Sequence, residues 1–428
     1  MKKYLQLLIF NILMLAFPSA WAGLTIEITK GVTSTMPIAV VPFAWQPGTR
    51  KTVDIAGVIR ADLQRSGFFK PLPVADMLTQ PSQPEQIRFR NWQALGQDYL
   101  LIGQVMPSGL RYDVKFQLFD VYKGEQIMGY RLTVAANKLR KTAHRISDLV
   151  FEKLTGKPGV FSTHIAYVTS VRLKNGKKQY RLQVADADGY NAKIIASSYE
   201  PIMSPNWSPD GRKIAYVSFE RRRSGIYIQD LASGKRQKIP SFKGINGAPA
   251  FSPDGRQLAL TLSKDGSPDI YLFDLATRRF RKLTHSYAID TEAAWSPDGR
   301  YIVFTSDRGG KPQIYQISSS GGRASRLTFT GSYNARARFS KDGRNLVMVH
   351  ANGGDYRIAV MDMATRTINV LTTGPLDESP SFAPNGTMIL YATRQAGRSI
   401  LSAVSVDGKM HQNLGFTGGD VREPAWAP

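Results

Sequence analysis

The chain contains no cysteine, so no disulfide can staple it and no thiol can carry a lipid, ligate a metal or attack a substrate. Histidine is almost as scarce. The five, His144, His164, His285, His350 and His411, lie singly, without an H-E-x-x-H pattern or a close pair, which argues against a histidine-ligated metal. They read as loop and strand residues, with His144 off the apolar stripe of its helix. The G-x-S-x-G elbow of a serine hydrolase is missing, as is room for a hydrolase domain after the repeats described below. Gly309-Gly310 and Gly353-Gly354 lack the Lys-Ser/Thr that completes a phosphate loop, and read as hairpin turns. No catalytic, cofactor-binding or metal-ligating residue is assigned, and an enzyme is not expected. Acid is also in deficit, with 33 Asp+Glu against 56 Lys+Arg and a net charge of +23. Such a surface favours anionic lipid, glycan or nucleic acid. The basic runs Lys174-Asn175-Gly176-Lys177-Lys178 and Arg221-Arg222-Arg223 lack the interleaved aromatics of a single-strand groove, and read as solvated loop tips.

Long apolar runs are missing too, with one exception. Lys2 and Lys3 precede an apolar stretch over 4–17, and Ala20-Trp21-Ala22 follows with small residues. That pattern is a secretory signal, cleaved after Ala22. A spanning helix needs about 20 apolar residues, and Pro18-Ser19 interrupts this run. The expected organisation is a signal peptide over 1–22, a domain over 23–158 and a second over 159–428. The exported chain would begin at Gly23, lie peripheral to membranes without inserting, and have no nucleic acid as natural partner.

What is present is a repeat. Trp207-Ser208-Pro209-Asp210-Gly211 recurs as Phe251-Ser252-Pro253-Asp254-Gly255 and Trp295-Ser296-Pro297-Asp298-Gly299, then more loosely at Phe339 and Phe382, and is cut short at Trp426-Ala427-Pro428. The six aromatic anchors are 44, 44, 44, 43 and 44 residues apart. Pro presets the first corner of a tight turn, Asp caps it and Gly accepts positive φ. Strands follow each turn, giving four per repeat, which is the pattern of propeller blades around a channel. Ile165-Ala166-Tyr167-Val168 matches a second strand, and Pro424-Ala425-Trp426 a first strand that stops. One blade would therefore join the C-terminus to residues near 165–197, closing a ring of six without an open edge. The reading is a mainly β chain: a C-terminal six-bladed β-propeller preceded by a small α/β domain.

In the first domain, 24–28, 38–43 and 99–105 read as strands, and Tyr112, Val114, Phe116 and Leu118 alternate as a half-exposed one. Thr52 is the expected cap of a helix running to about Gln64. Leu139, Ala143, Ile146, Val150 and Leu154 recur at helical spacing, with Gly156 as terminator.

Carboxylates stand just ahead of three anchors, at Asp290-Thr291-Glu292, Asp377-Glu378 and Arg422-Glu423. In a propeller these positions meet at one mouth of the channel. Such a partly acidic rim could receive a basic segment, hold a divalent cation, or simply hydrogen-bond neighbouring blades. The pre-anchor strings Asn246-Gly247-Ala248-Pro249, Thr291-Glu292 and Leu376-Asp377-Glu378-Ser379-Pro380 resemble those of the TolB family of the Tol-Pal envelope system. So do Met36-Pro37-Ile38-Ala39-Val40-Val41-Pro42-Phe43 and Val150-Phe151-Glu152-Lys153-Leu154-Thr155-Gly156 in the first domain. Ile245 stands where members often carry a His.

The resemblance implies a periplasmic protein–protein interaction component, with partners rather than a substrate. The peptidoglycan-associated lipoprotein Pal would bind the mouth, through Met203, Ser204, Asn246, Gly247, Ala248, Thr291, Glu292, Asp377 and Glu378. The inner-membrane-linked protein TolA would bind the segment Gly23-Leu24-Thr25-Ile26-Glu27-Ile28-Thr29. Partners can include other outer-membrane proteins. The resemblance further implies that Pal binding sequesters the N-terminal segment, in the service of outer-membrane integrity and envelope constriction during cell division. Two other classes stay open on the sequence: a glycan- or ligand-binding periplasmic propeller using the basic surface, and a peptidase-like remnant.

Overall fold

The computed structural model describes residues 25–30, 35–415 and 419–428; the expected signal peptide and its cut after Ala22, together with Gly23 and Leu24 of the expected TolA segment, lie outside them. Six four-stranded antiparallel units stand around a channel. Each begins with its innermost strand, as in Ile202–Trp207, Asn246–Phe251 and Asp290–Trp295 for blades 2, 3 and 4. The turn after each anchor is built as its residue types dictate. Ser208 Oγ donates to Asp210 Oδ1 at 2.6 Å and accepts from Lys213 N at 2.9 Å, and Gly211 sits at φ 67°. The same bonds recur at Ser252, Ser296 and Ser340.

Anchor tryptophans tie one blade to the previous one. Trp207 Nε1 donates to Ala425 O at 3.0 Å, and Trp295 Nε1 to Ala250 O at 3.1 Å. Between blades the aliphatic faces interleave in dry clusters, such as Ile228, Leu258, Leu260 and Phe273. The ring shuts as the split repeat requires: Asp420–Trp426 pairs antiparallel with His164–Arg172, with Trp426 opposite Ile165, and supplies the innermost strand of blade 1. Blade 6 (Glu378–Phe382, Met388–Gln395, Arg398–Ser405, His411–Gly415) carries a fifth strand, Thr25–Lys30, on its outer edge.

The first domain is a mixed sheet in the order Phe69–Pro71, Met36–Val40, Tyr99–Ser108, Arg111–Asp120, Glu125–Ala135, with the short Ala44–Trp45 also on Tyr99–Ser108. Helices Ile55–Ser66 and Leu139–Thr155 cover one face, packing Ile59, Leu63, Ala143, Ile146 and Val150 onto Val40, Leu101 and Val114. The first of these helices is capped by Asp54, whose Oδ1 accepts from Gly57 N at 3.1 Å, and not by Thr52. Asp is as good a cap as Thr, and its place next to Ile55 wins. Gly156, at φ 72°, ends the second helix.

This domain sits against the face of the ring opposite the mouth, over blades 6 and 1. Asp148, buried on the second helix, accepts from Phe161 N at 2.7 Å and from Ser162, pinning the chain as it enters the ring. The looser turn of blade 6, Ala383-Pro384-Asn385-Gly386, makes a contact that no Asp-bearing turn could: Asn385 Nδ2 donates to Pro158 O at 2.8 Å.

Removing residues 421–428 takes the innermost strand from blade 1 and leaves Trp207 Nε1 and the His164–Arg172 edge unpaired. Calorimetry of that truncation is expected to show the first domain's transition with the propeller's transition gone; a propeller melting within a few degrees of the full chain would show that closure is dispensable.

Candidate functional site

Because every innermost strand starts from the same face, its first residues gather at one end of the channel. Each of these strands is broken by a bulge: the register slips between Met203 and Asn206, Gly247 and Ala250, Thr291 and Ala294, Ala335 and Arg338, Glu378 and Ser381, and Arg422 and Ala425. Within each slip one non-glycine residue takes left-handed backbone: Ser204, Ala248, Glu292, Arg336, Ser379 and Glu423, with φ from 45° to 57°. Such backbone costs on the order of 1 kcal/mol per residue or more, and its recurrence in all six blades points to a function for the geometry. The bulge turns these six side chains into the channel, a cavity of about 290 Å³ that all of them line and that extends down to the anchors and the prolines after them.

The ring is polar and internally bridged. Arg336 Nε lies 2.8 Å from Glu292 Oε1 and Nη1 lies 3.3 Å from Glu423 Oε1, while Nη1 also donates to Ser379 Oγ. Glu423 first, then Glu292 and Glu378, raise the Arg336 guanidinium's pKa against the opposing effect of burial. Thr305 Oγ1 donates to Glu292 Oε2 at 3.1 Å. Just below, burial lowers Arg338, with Glu292 opposing. The acidic rim expected from sequence is thus largely neutralised, with one arginine shared between two glutamates. Arg336 was missed because it precedes a weak copy of the repeat, Ala337-Arg338-Phe339-Ser340-Lys341, with no carboxylate to mark it.

Of the expected mouth residues, Ser204, Gly247, Ala248, Thr291, Glu292 and Glu378 are half-buried around the opening, and Met203 is exposed. Asn246 and Asp377 are different. Their side chains are 2% and 1% exposed and turn inward to hold the loops above them. Asn246 Oδ1 accepts from Phe242 N at 2.9 Å, and Asn246 Nδ2 donates to Phe242 O at 2.8 Å. Asp377 Oδ2 accepts from Thr372 Oγ1 at 2.5 Å, and burial raises its pKa. These two side chains are therefore not displayed at the opening and support the loops that frame it. Sequence reading also missed an apolar fringe: beside Met203, the residues Ile245, Ile289 and Leu376, just ahead of three mouth strands, are 49%, 51% and 38% exposed.

The expected N-terminal segment lies elsewhere. Thr25–Lys30 pairs antiparallel with His411–Gly415, Thr25 opposite Gly415 and Ile28 opposite Gln412. The same outer strand meets the first domain, since Gln412 Nε2 donates to Arg65 O and Met410 fills the space beside Gly67.

Sequence reading left His144 as an unremarkable polar helix residue; the structure places it in an ion network between the domains. His144 is 2% exposed; its Nδ1 lies 2.7 Å from Asp62 Oδ2, and its Nε2 lies 3.7 Å from Asp188 Oδ2 on blade 1. Arg65 pairs with Asp62 at 2.7 Å, Arg140 pairs with Asp188, and Arg140 stacks on Tyr190 at 3.9 Å. Asp62, His144 and Asp188 have the proximity of metal ligands, yet each carboxylate is already engaged by an arginine, and the cluster acts as a clamp. Nothing local could have revealed it, because Asp62 and His144 are 82 positions apart.

Residues 151–428 match the family model described as the TolB beta propeller domain, and residues 24–127 match the TolB amino-terminal domain. The chain is 60% identical over 427 residues to the Tol-Pal system protein TolB of Nitrosococcus oceani, covering 100% of this chain and 98% of the relative. It is 64% identical over 417 residues to that of Methylococcus capsulatus, covering 97% of each. The crystal structure of TolB from Acinetobacter baumannii superposes with a TM-score of 0.88 at 45% identity, over 95% of this chain and 100% of that one.

The clamp has a pH signature. Burial raises the Asp188 carboxyl, but Arg65, His144 and Arg140 outweigh it and hold it below the usual range. Its stabilisation is therefore present above the unfolded-state value of about 3.9 and lost as pH falls through the lower folded-state value. Asp188→Asn is expected to cost about 3 kcal/mol at pH 7, read by calorimetry, with the gap to the native chain closing as the acid limit is approached.

Proposed function

The chain belongs to the TolB family, and from that premise we propose that it works as a periplasmic, non-enzymatic docking component of the Tol-Pal envelope system. The propeller mouth receives the lipoprotein Pal, and the exported N-terminus is the element read by TolA. Support for the first half is the mouth itself: a polar, pre-bridged centre of Glu292, Arg336 and Glu423 inside the apolar fringe of Met203, Ile245, Ile289 and Leu376. An opening of that make suits a protein surface, with apolar contacts for affinity and fixed charges for register. The six bulges hold it in shape, so little ordering is lost on binding.

The observation that carries the regulatory half is the fifth strand of blade 6. While Thr25–Lys30 is hydrogen-bonded along His411–Gly415, its backbone is unavailable to a partner that would take it up by strand addition. Docked and released forms of the segment are then two states with different partners. If Pal prefers the docked state, it withholds the segment from TolA, and by reciprocity TolA weakens Pal. Such exclusion would tether the outer membrane to peptidoglycan in one state and release it in the other, as constriction during division demands.

Two measurements test the reading. Titration calorimetry with Pal from the same organism is expected to show at least about tenfold weaker binding for Thr291→Arg combined with Glu292→Lys, because the reversed charge meets Arg336; unchanged affinity removes the mouth as the interface. Deletion of residues 23–29 is expected to abolish TolA capture and leave Pal binding intact. Retained TolA capture would place that site elsewhere.

A further inference from the structure

The charge of this chain is not spread evenly round the mouth. In each blade the innermost strand leaves the mouth and the second returns, so the hairpin joining second and third strands always lies on the mouth face. In blades 3, 4 and 5 the cations of these hairpins meet acids: Lys264 with Asp265 at 2.8 Å, Arg308 with Asp290 of the innermost strand at 2.6 Å and Arg357 with Asp355 at 2.8 Å, while the exposed Lys311 of blade 4 shares its hairpin with Asp307. The other half of the ring is different. Blade 1 presents Lys174, Lys177 and Lys178, and blade 2 presents Arg221, Arg222 and Arg223, all exposed. The one acid of the blade 2 hairpin, Glu220, is taken in bidentate fashion by Arg236, with both contacts at 2.9 Å. Blade 6, on the far side of blade 1, adds the exposed Arg394 and Arg398. Among the described residues, none of these cations is held in an ion pair.

The geometry points to a second docking surface, distinct from the mouth: we infer that the hairpin tips of blades 6, 1 and 2 bind the anionic headgroups of a phospholipid bilayer. Three features select a bilayer over other polyanions. The cations stand on the separate hairpin tips of three blades, with the single aromatic Tyr199 among them rather than the series that base stacking along a strand requires. No carboxylate stays free within the basic hairpins to set the register of a folded acidic partner, so the surface suits fluid headgroups. Between the tips, Tyr199 is 61% exposed, with Lys177 lying 6.0 Å from its ring centre. Long cations beside an amphipathic tyrosine are the side chains that sit at a membrane interface.

The consequence for orientation is direct. A bilayer gripped by one half of the mouth face leaves the other half and the channel opening tilted outward for a partner. The first domain and the Thr25–Lys30 strand, on the far face and the outer edge, would face the aqueous space.

The test uses the exported full-length chain and co-sedimentation with vesicles of phosphatidylcholine alone or mixed with phosphatidylglycerol. Binding to the mixed vesicles at low salt, reversed by added salt, and no binding to phosphatidylcholine are expected. A cation near such a surface contributes roughly fivefold in affinity. The variant Arg221→Ser, Arg222→Asn, Arg223→Ser should therefore bind at least about tenfold less; Asn is chosen because Arg222 has φ 60°. A control losing equal charge on the opposite face, Lys235→Ser with Arg279→Ser and Arg323→Ser, should stay within about twofold. Equal loss in the control, no binding by the native chain, or equally tight capture of soluble polyglutamate would each overturn the inference. Pal affinity, measured in parallel without lipid, should be preserved in the Arg221–Arg223 variant, which separates this surface from the mouth.

Discussion

The pairing of Asp420–Trp426 with His164–Arg172 is the contact on which the molecule depends. It turns a row of five and a half repeats into a ring, and only a ring brings all the innermost strands to a common opening. Each blade buries its faces against two neighbours, so an unclosed row would leave two apolar sheet faces in water. The absence of disulfides throws the whole task onto this non-covalent seam and the dry clusters on either side of it. Trp207 reaching back to Ala425 bonds blade 2 to the closing strand as Trp295 bonds blade 4 to blade 3.

Closure also explains how a repeat made for folding came to carry a recognition surface. The turn after each anchor follows one recipe, and it lies on the face that the first domain partly covers. The residues before each anchor vary, and the bulge there aims them into the channel. Stability is thus encoded in the constant half of the repeat, and the make of the opening in the variable half. The Glu292–Arg336–Glu423 bridge spans blades 4, 5 and 1, so the charges of the opening are arranged only when the ring is whole.

Much of the fold was legible because its signals are local. Aromatic spacing gave the blade number, the truncated last copy gave the closing strand, and helical periodicity placed Leu139–Thr155. At the mouth, the acidic positions of blades 4, 6 and 1 could be read from their place before the anchors. Four things could not. The inward turn of Asn246 and Asp377 follows from alternation across a bulged strand, and the sequence does not show where a bulge falls. Arg336 lay beside a degenerate copy. The clamp of Asp62, His144 and Asp188 joins two helices and a blade, and the capping of Ile55–Ser66 turned on a choice between two adequate residues.

A six-fold arrangement of near-identical units offers six nearly equivalent seats for anything that sits on its underside, and a single-copy domain must be told which to occupy. Asn385 supplies that label. Where the neighbouring turns place an acid, which can only accept, this one places an amide, which can also donate, and it meets the carbonyl of Pro158. With the clamp at Asp188 and the Gln412–Arg65 bond, this departure from the repeat breaks the rotational degeneracy of the wheel and sets which spoke the leading strand can reach.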